Sequence, residues 1–490
     1  MQHFDVAVIG AGFGGIGCAL SLAERGAKVA LFEQLTYPGG CASTFTRKGY
    51  RFESGATLFS GFGQGQLFQQ WVEKYELDVD FELMDPVVEL RTPNFSLKIP
   101  PERAAFIDRF CALPEAPVSR IRDFFEWQES IANVLWSLFD DPELLPPLNA
   151  TSLLRHMGRS PQYVRLLPLL GKTLEEILRR HEVWDYEPLR VYMDAVCQIT
   201  VQVSASEAEA SFALAAMDYF FRGTGHIHGG IGQLAEGLVS VIPRLGGMVS
   251  MADGVLGLTR EDGKWKVRSR RQTILVDTVV ANILPQNLGH ILDNSAPRDI
   301  VSDLSESVEE GWGAAMLYLG LDKDKLKDPD AFHIELVDRE DEPFIEGNHL
   351  FCSVSGDSEE GRAPEGQRVA TLSAHLRIDE CWQEDRSKRE RYVNGVQERM
   401  RETLRKLAPE VADAVVFEMT ASPRTFARFT NRHLGYVGGI PRRVGLHNYR
   451  RTTPLEVAKS LYLVGDTIFP GQSILAVALG GTRIADGILR

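Results

Sequence analysis

The sequence predicts an α/β fold with parallel strands, and three stretches carry that expectation. Residues 4–9, FDVAVI, are a short apolar run rich in β-branched side chains, the pattern of a strand buried on both faces. GAGFGG follows at once. IGCALSLAERG then reads as a helix closed by Gly26, and KVALFE as a second strand ending at Glu33. Far along the chain, SLYLVGDTIFPGQSILAVALGG reads as a strand, a turn at Gly465 and Asp466, and a last helix.

Each part of the first unit has a physical task. Gly10 permits the tight turn out of the strand, Gly12 lets the backbone approach a pyrophosphate, and Gly15 allows close helix packing; Gly14 sits in the same turn. The phosphates then meet the helix N-terminus, and Glu33 is placed to accept hydrogen bonds from the ribose hydroxyls of an adenosine. Strand, glycines, helix, strand and terminal acid in this order make a Rossmann-type dinucleotide-binding unit. The next stretch, YPGGCASTFTRKGYRFESGATLFSGF, is rich in Gly, Ser and Thr and reads as loops folding over a ligand. Within it Gly39 and Gly40 can lie against the same pyrophosphate, with Ser43 beside them.

Residues 102–185 read as a helical insert, with apolar residues at three- and four-residue spacing and Phe106, Phe110, Phe124, Phe125, Trp127, Trp136 and Phe139 as its core. From residue 226, HIHGGIGQLAEGLVSVIPRLGG is a glycine-led amphipathic helix. MADGVLGLTREDGKWKVRS is a hairpin turning at Glu261, Asp262 and Gly263, and TILVDTVVANILP is another buried strand. AAMLYLGL, HLFCSV and RVATLSAHL are short alternating strands separated by acidic loops; RSKRERYVNGVQERMRETLRKL is a helix and AVVFEM a strand.

Composition narrows the function classes. With 53 Lys plus Arg against 67 Asp plus Glu, the 490 residues carry a formal charge of −14, which opposes nucleic-acid binding and charge-driven membrane docking. The six cysteines are scattered without a CxxC pair or ligand-like spacing, so no metal is expected and the protein is read as reduced and cytoplasmic. MQHFDVAVIG has no basic n-region and reads as the opening of a folded unit. Apolar stretches such as ILVDTVVANIL are broken by Asp277 and Asn282 short of the roughly 18 residues of a spanning helix, so the membrane contact expected is peripheral.

An N-terminal βαβ unit completed by a C-terminal strand, Gly-Asp turn and helix resembles the two-dinucleotide-binding, amine-oxidase-like flavoproteins. Within them, YPGGCASTFTRKGYRFESGA, GHIHGGIGQLAEGL, SPRTFARFTNRHLGYVGGIP and LYLVGDTIFPGQSILAVALGG look like the phytoene desaturase, carotenoid isomerase and retinol saturase branch, over nearly the full length. The resemblance implies noncovalent FAD, its ADP half on Gly10, Gly12, Gly15 and Glu33, with Val255 offering its backbone to the adenine; Gly14, Gly39, Gly40 and Ser43 are counted among the cofactor-binding residues. Gly465 and Asp466 would reach the ribityl chain, and Pro470, Gly471, Gln472 and Ser473 would run beside the isoalloxazine. Cys41 stands where many amine-oxidase relatives carry a phosphate-contacting Arg, and Glu53 replaces the usual Asp.

The same resemblance implies an FAD-binding domain in three pieces, 1–85, 226–300 and 416–490, and a substrate domain of mixed sheet in two, 86–225 with the helical insert and 301–415. The implied activity is desaturation of C–C bonds in a carotenoid or related isoprenoid lipid, with oxygen or a quinone as electron acceptor. The alternatives are cis-trans isomerisation by reduced FAD, an amine-oxidase-type enzyme, and a non-enzymatic prenyl-lipid binder. His226 and His228, just before the Gly229–Gly230 turn, are the expected proton carriers, since imidazole suits transfers at neutral pH, and Arg424 and Arg432 fall in a family motif.

Overall fold

The computed structural model describes residues 2–58, 60–146, 148–293, 299–326, 332–445 and 447–489. The strand Gln2–Ile9 lies parallel between Val29–Phe32 and Thr273–Ala281, with Met248–Ser250 parallel beyond Val29–Phe32. The other edge of Thr273–Ala281 is shared. Its first half pairs antiparallel with Lys264–Ser269, the second strand of the hairpin begun by Val255–Glu261. Its last residues pair parallel with Leu461–Leu463, so the C-terminal segment enters the sheet beside the N-terminal one. The hairpin turns at Asp262 and Gly263, both with positive φ, as the Asp-Gly pair demands.

Two helices close this sheet from one side. Phe13–Glu24 and Ile474–Ile488 pack through glycines: a Cβ at Gly17 would stand 2.5 Å from the Ala478 carbonyl oxygen, and one at Gly481 would stand 2.1 Å from that of Gly14. Small residues on both faces thus set the interaxial approach.

A second, seven-stranded sheet runs in the order Val415–Ala421, Gly313–Asp322, Gln367–Leu376, His349–Val354, His333–Val337, Val88–Arg91, Ser96–Ile99. The helix Arg386–Leu407 covers one face, where Leu317, Leu319, Ile334, Leu336, Leu350 and Leu372 pack against Val396, Met400 and Leu404. The opposite face is the one turned toward the site. The boundary expected after residue 415 falls inside a strand of this sheet, because Val415–Ala421 pairs antiparallel with Gly313–Asp322. Residues 294–298, before the boundary expected at 300, lie outside the described residues.

The expected insert is helical, from Arg103–Cys111 through Val118–Asp140, Ala150–Tyr163 and Leu174–Arg180. Phe106, Phe110, Phe124 and Phe125 are buried in one cluster, as a core reading requires. One expectation is corrected. The stretch read only as loops contains a hairpin, Thr44–Arg47 with Tyr50–Glu53, whose Lys48 and Gly49 both take positive φ as a tight two-residue turn needs. Tyr50 and Phe52 anchor it against Tyr318 and Phe417.

Candidate active site

The glycine turn forms because the chain must leave a buried strand and enter a helix within three residues. Gly10 does so at φ +95°, and Gly15 lies so close to its carbonyl oxygen that a Cβ there would stand 2.0 Å away. The helix Phe13–Glu24 begins at Gly12 with no side-chain cap, which leaves its first N–H groups open to a ligand. The Gly39 N–H donates to the Ala11 carbonyl (2.7 Å), pinning the second loop beside the first, and Ser43 Oγ donates to the Gly40 carbonyl (2.8 Å). Glu33 is buried; its carboxylate accepts from the Ala11 N–H (2.7 Å) and the Leu35 N–H (2.9 Å). Burial raises its pKa against the pull of these N–H groups.

Gly10, Gly12, Gly14, Glu33, Gly39, Gly40 and Val255 line one cavity of about 760 Å³, and Gly465, Asp466, Gly471, Gln472 and Ser473 line it too. Gly15 and Ser43 stand behind the lining as packing and loop anchor. Ser473 caps the helix Ile474–Ile488 by accepting from the Ala476 N–H (3.0 Å). Asp466 is ion-paired with Arg432 (2.7 Å), whose Nε also donates to the Tyr436 carbonyl. Arg432 is close enough to act on the Cys41 thiol, so a guanidinium does stand by the position where Cys41 replaces an Arg. Arg424 lies outside, over the Trp382 ring at 5.7 Å. Glu53 is also outside, accepting from Thr44 Oγ1 (2.8 Å) and the Ile231 N–H (3.2 Å).

The expected placement of His226 and His228 is corrected: neither lines the cavity. His226 is the middle residue of the short strand Gly225–Ile227, paired with Glu82 of Phe81–Leu83, and His228 follows it. His226 Nε2 meets Glu359 Oε1 at 2.7 Å and its ring stacks on Phe332, while His228 Nε2 meets Glu82 at 3.0 Å. Burial would raise the Glu359 carboxyl, yet His226, Arg362 and the Gly356 N–H together hold it down at about 2. This is a satisfied ion-pair cluster that locks the Gly229–Gly230 turn, since the Gly229 N–H donates to Glu359 (2.8 Å).

Three cavity residues escaped the sequence reading. Asn282 ends the buried strand and knits the site together: its Nδ2 donates to the Gly10 carbonyl (3.3 Å), and its Oδ1 would stand 2.8 Å from a Cβ on Gly14 and 3.0 Å from one on Gly465. The signal was there as a lone amide closing an apolar run. His375, on the sheet face toward the cavity, meets the Gln198 amide at 3.2 Å; burial, aided by His349, lowers its pKa to about 4. Arg442, from a loop without periodicity, reaches the cavity beside Pro470 and Gly471.

Much of the remaining lining is apolar, and the insert contributes Leu135, Trp136, Leu138, Phe139, Leu166 and Leu170 to it. The space is therefore a glycine cradle continuous with an apolar chamber. Two buried amide oxygens at their junction, Gln202 Oε1 and Gln472 Oε1, have no hydrogen-bond partner. Such orphaned acceptors fit a ring system carrying N–H groups, and the cradle has the open backbone that a pyrophosphate needs.

Comparison with known proteins agrees with this geometry. Residues 8–75 match the family model described as an NAD(P)-binding Rossmann-like domain, so the cradle is one for a dinucleotide. The chain is 26% identical over 509 aligned residues to prolycopene isomerase 1, chloroplastic, of an Oncidium hybrid cultivar, covering 99% of this chain and 83% of that protein. It is 23% identical to the phytoene desaturase (neurosporene-forming) of Cereibacter sphaeroides, covering 96% of this chain and 92% of that one. Among solved structures, cyclohexylamine oxidase from Brevibacterium oxydans aligns with a TM-score of 0.62 at 13% identity, over 99% of this chain and 100% of that one. The chain thus has the amine-oxidase-like flavoprotein fold and is a full-length relative of the carotenoid isomerase and desaturase branch built on it.

Proposed function

We propose that the protein is an FAD-dependent enzyme acting on a polyene or related isoprenoid lipid. The observation that carries this reading is the single cavity joining a dinucleotide cradle to an apolar chamber. FAD, when bound, supplies the two-electron chemistry that a substrate without ionisable carbons cannot draw from side chains. The chain's own residues bind, orient and exclude water. Glu33, its carboxylate held by the Ala11 and Leu35 N–H groups, keeps lone pairs for ribose hydroxyls, and the uncapped N-terminus at Gly12 receives the phosphates. Trp136, Phe139, Leu166 and Leu170 give the chamber walls against which a polyene lies dry. His375, whose pKa burial lowers to about 4, stands as a neutral hydrogen-bonding group in the wall at neutral pH.

Desaturation, with oxygen or a quinone as acceptor, is the first reading. Isomerisation is the second, favoured by the higher identity to the isomerase relative. Anaerobic incubation of poly-cis and all-trans carotenoids with oxidised or dithionite-reduced protein separates them. A product lighter by two hydrogens, formed with oxidised flavin, establishes desaturation. Conversion at unchanged mass with reduced flavin establishes isomerisation, and no conversion of either carotenoid in either state rejects a hydrocarbon carotenoid as the substrate.

We also place a peripheral membrane contact on the insert. Leu154 and Met157 on the helix Ala150–Tyr163, with Val164 and Leu167 on the short helix after it, are more than three-fifths exposed, next to the cavity-lining Leu166 and Leu170, and a water-insoluble substrate needs such a path. No described helix is long and apolar enough to cross a membrane.

A further inference from the structure

The apolar chamber has one corner of a different character. Arg442 lines it, with its guanidinium packed on the Phe212 ring at 5.0 Å. Among the described residues no carboxylate lies within ion-pair distance of Arg442, and its one side-chain hydrogen bond is a long one, Nη2 to the Pro470 carbonyl at 3.5 Å. The contrast with Arg483 is instructive. That buried guanidinium donates to the carbonyls of Pro146, Phe469 and Thr452 and stands outside the cavity, as a structural cation should. Burial pulls the Arg442 pKa down to about 10, which still leaves it fully charged at neutral pH. The nearby Glu209 makes no ion pair with it; its oxygens accept instead from the Gly171 N–H (3.1 Å), the Gly445 N–H (3.2 Å) and the Tyr449 hydroxyl (2.8 Å). That hydroxyl also meets Ser211 Oγ at 2.6 Å, and both residues face the cavity beside Arg442. A cation half-buried in an apolar chamber with about four unused donors is costly unless an anion completes it, and a pure hydrocarbon offers none.

We propose that Arg442 receives the carboxylate of the substrate, with Tyr449 and Ser211 at its side, so that the chamber takes an isoprenoid or polyene acid in preference to the matching alcohol or hydrocarbon. This rests on the polyene reading of the cavity and narrows it. The planar guanidinium fork matches a carboxylate in two parallel hydrogen bonds, and the low-polarity walls strengthen the pair while holding the chain.

The test uses the flavin-loaded protein under anaerobic conditions at about pH 8, where a carboxylic acid is ionised. All-trans-retinoic acid and all-trans-retinol, which share one carbon skeleton, are titrated while tryptophan fluorescence is followed, Trp136 being a reporter inside the cavity. The acid should bind about tenfold tighter or more, and Arg442→Gln should erase that preference while the alcohol stays within about twofold; Arg442→Lys should restore part of it. Near-ultraviolet dichroism and flavin content verify that each variant is folded. Equal affinity of acid and alcohol for the unaltered protein overturns the inference and leaves the polyene reading standing, whereas quenching by neither overturns both. An acid preference that survives in Arg442→Gln, together with a displaced flavin midpoint potential, assigns the guanidinium to the cofactor and overturns the proposal.

Discussion

Two single residues expose the physics of the site most directly. A Cβ on Gly12 would stand 2.8 Å from Asn282 Nδ2 and intrude on the cavity, so Gly12→Val should give a folded protein without flavin. The readout is loss of the yellow absorbance after gel filtration with an unchanged far-ultraviolet dichroism spectrum. His333 reports on burial instead. It is 1% exposed, its Nδ1 meets Ser353 Oγ at 2.7 Å and its Nε2 has no partner; burial, with the charge of His226 adding, lowers its pKa from 6.5 to about 3. Because the folded value lies below the unfolded one, the unfolded chain binds the extra proton. Stability is therefore intact above pH 6.5 and falls as pH drops toward 3, by about 1.4 kcal/mol per pH unit for one such proton. Denaturant titrations between about pH 6 and 4 should show a slope smaller by that amount in His333→Asn, and equal slopes would mean that His333 is charged in the folded state.

At the scale of elements, the two helices that flank the cradle act as one part. Gly481 does not line the cavity, yet a Cβ there would stand 2.1 Å from the Gly14 carbonyl oxygen and 2.6 Å from the Cys18 amide nitrogen. Gly481→Ala should push Ile474–Ile488 away from Phe13–Glu24, cost about 1–3 kcal/mol in thermal unfolding, and weaken flavin retention in dialysis through the displaced Gly465–Ser473 turn. These elements were legible in the sequence because their demands are local: a buried strand, a glycine turn and a small-residue helix follow one another within the N-terminal stretch, and strand, Gly-Asp turn and helix do so at the C-terminal one. The hairpin around Lys48 and Gly49 was hidden because its strands are four residues each and its anchors, Tyr318 and Phe417, are far away in sequence. His226 and His228 were read as proton carriers from residue type and neighbourhood, but their partners Glu359 and Glu82 come from distant loops that no spacing reveals. Arg442 was invisible for the converse reason, since what marks it is the lack of a counter-ion.

For the whole molecule, the peripheral contact proposed on the insert, with its exposed leucines and an acidic net charge, predicts burial of side chains in a lipid surface and not ion pairing with it. Binding to neutral phosphatidylcholine vesicles should persist at about 0.5 M NaCl, because salt screens charges without weakening apolar burial. Leu154→Asp with Met157→Asp should release the protein into the supernatant of a flotation assay, and release of the unaltered protein by salt alone would show that charge was responsible. The topology has a consequence in time as well as in space. The cradle needs residues 10–40, Asn282 at the end of Thr273–Ala281, and the 465–477 segment delivered by Leu461–Leu463, which docks on that same strand. A growing chain emerging from the ribosome therefore presents its glycine loop early and completes the cradle only when its last strand and helix are made. A chain cut short before Leu461–Leu463 should therefore keep its N-terminal glycine loop yet lack half of the cradle, and should lose dinucleotide binding as Gly12→Val should.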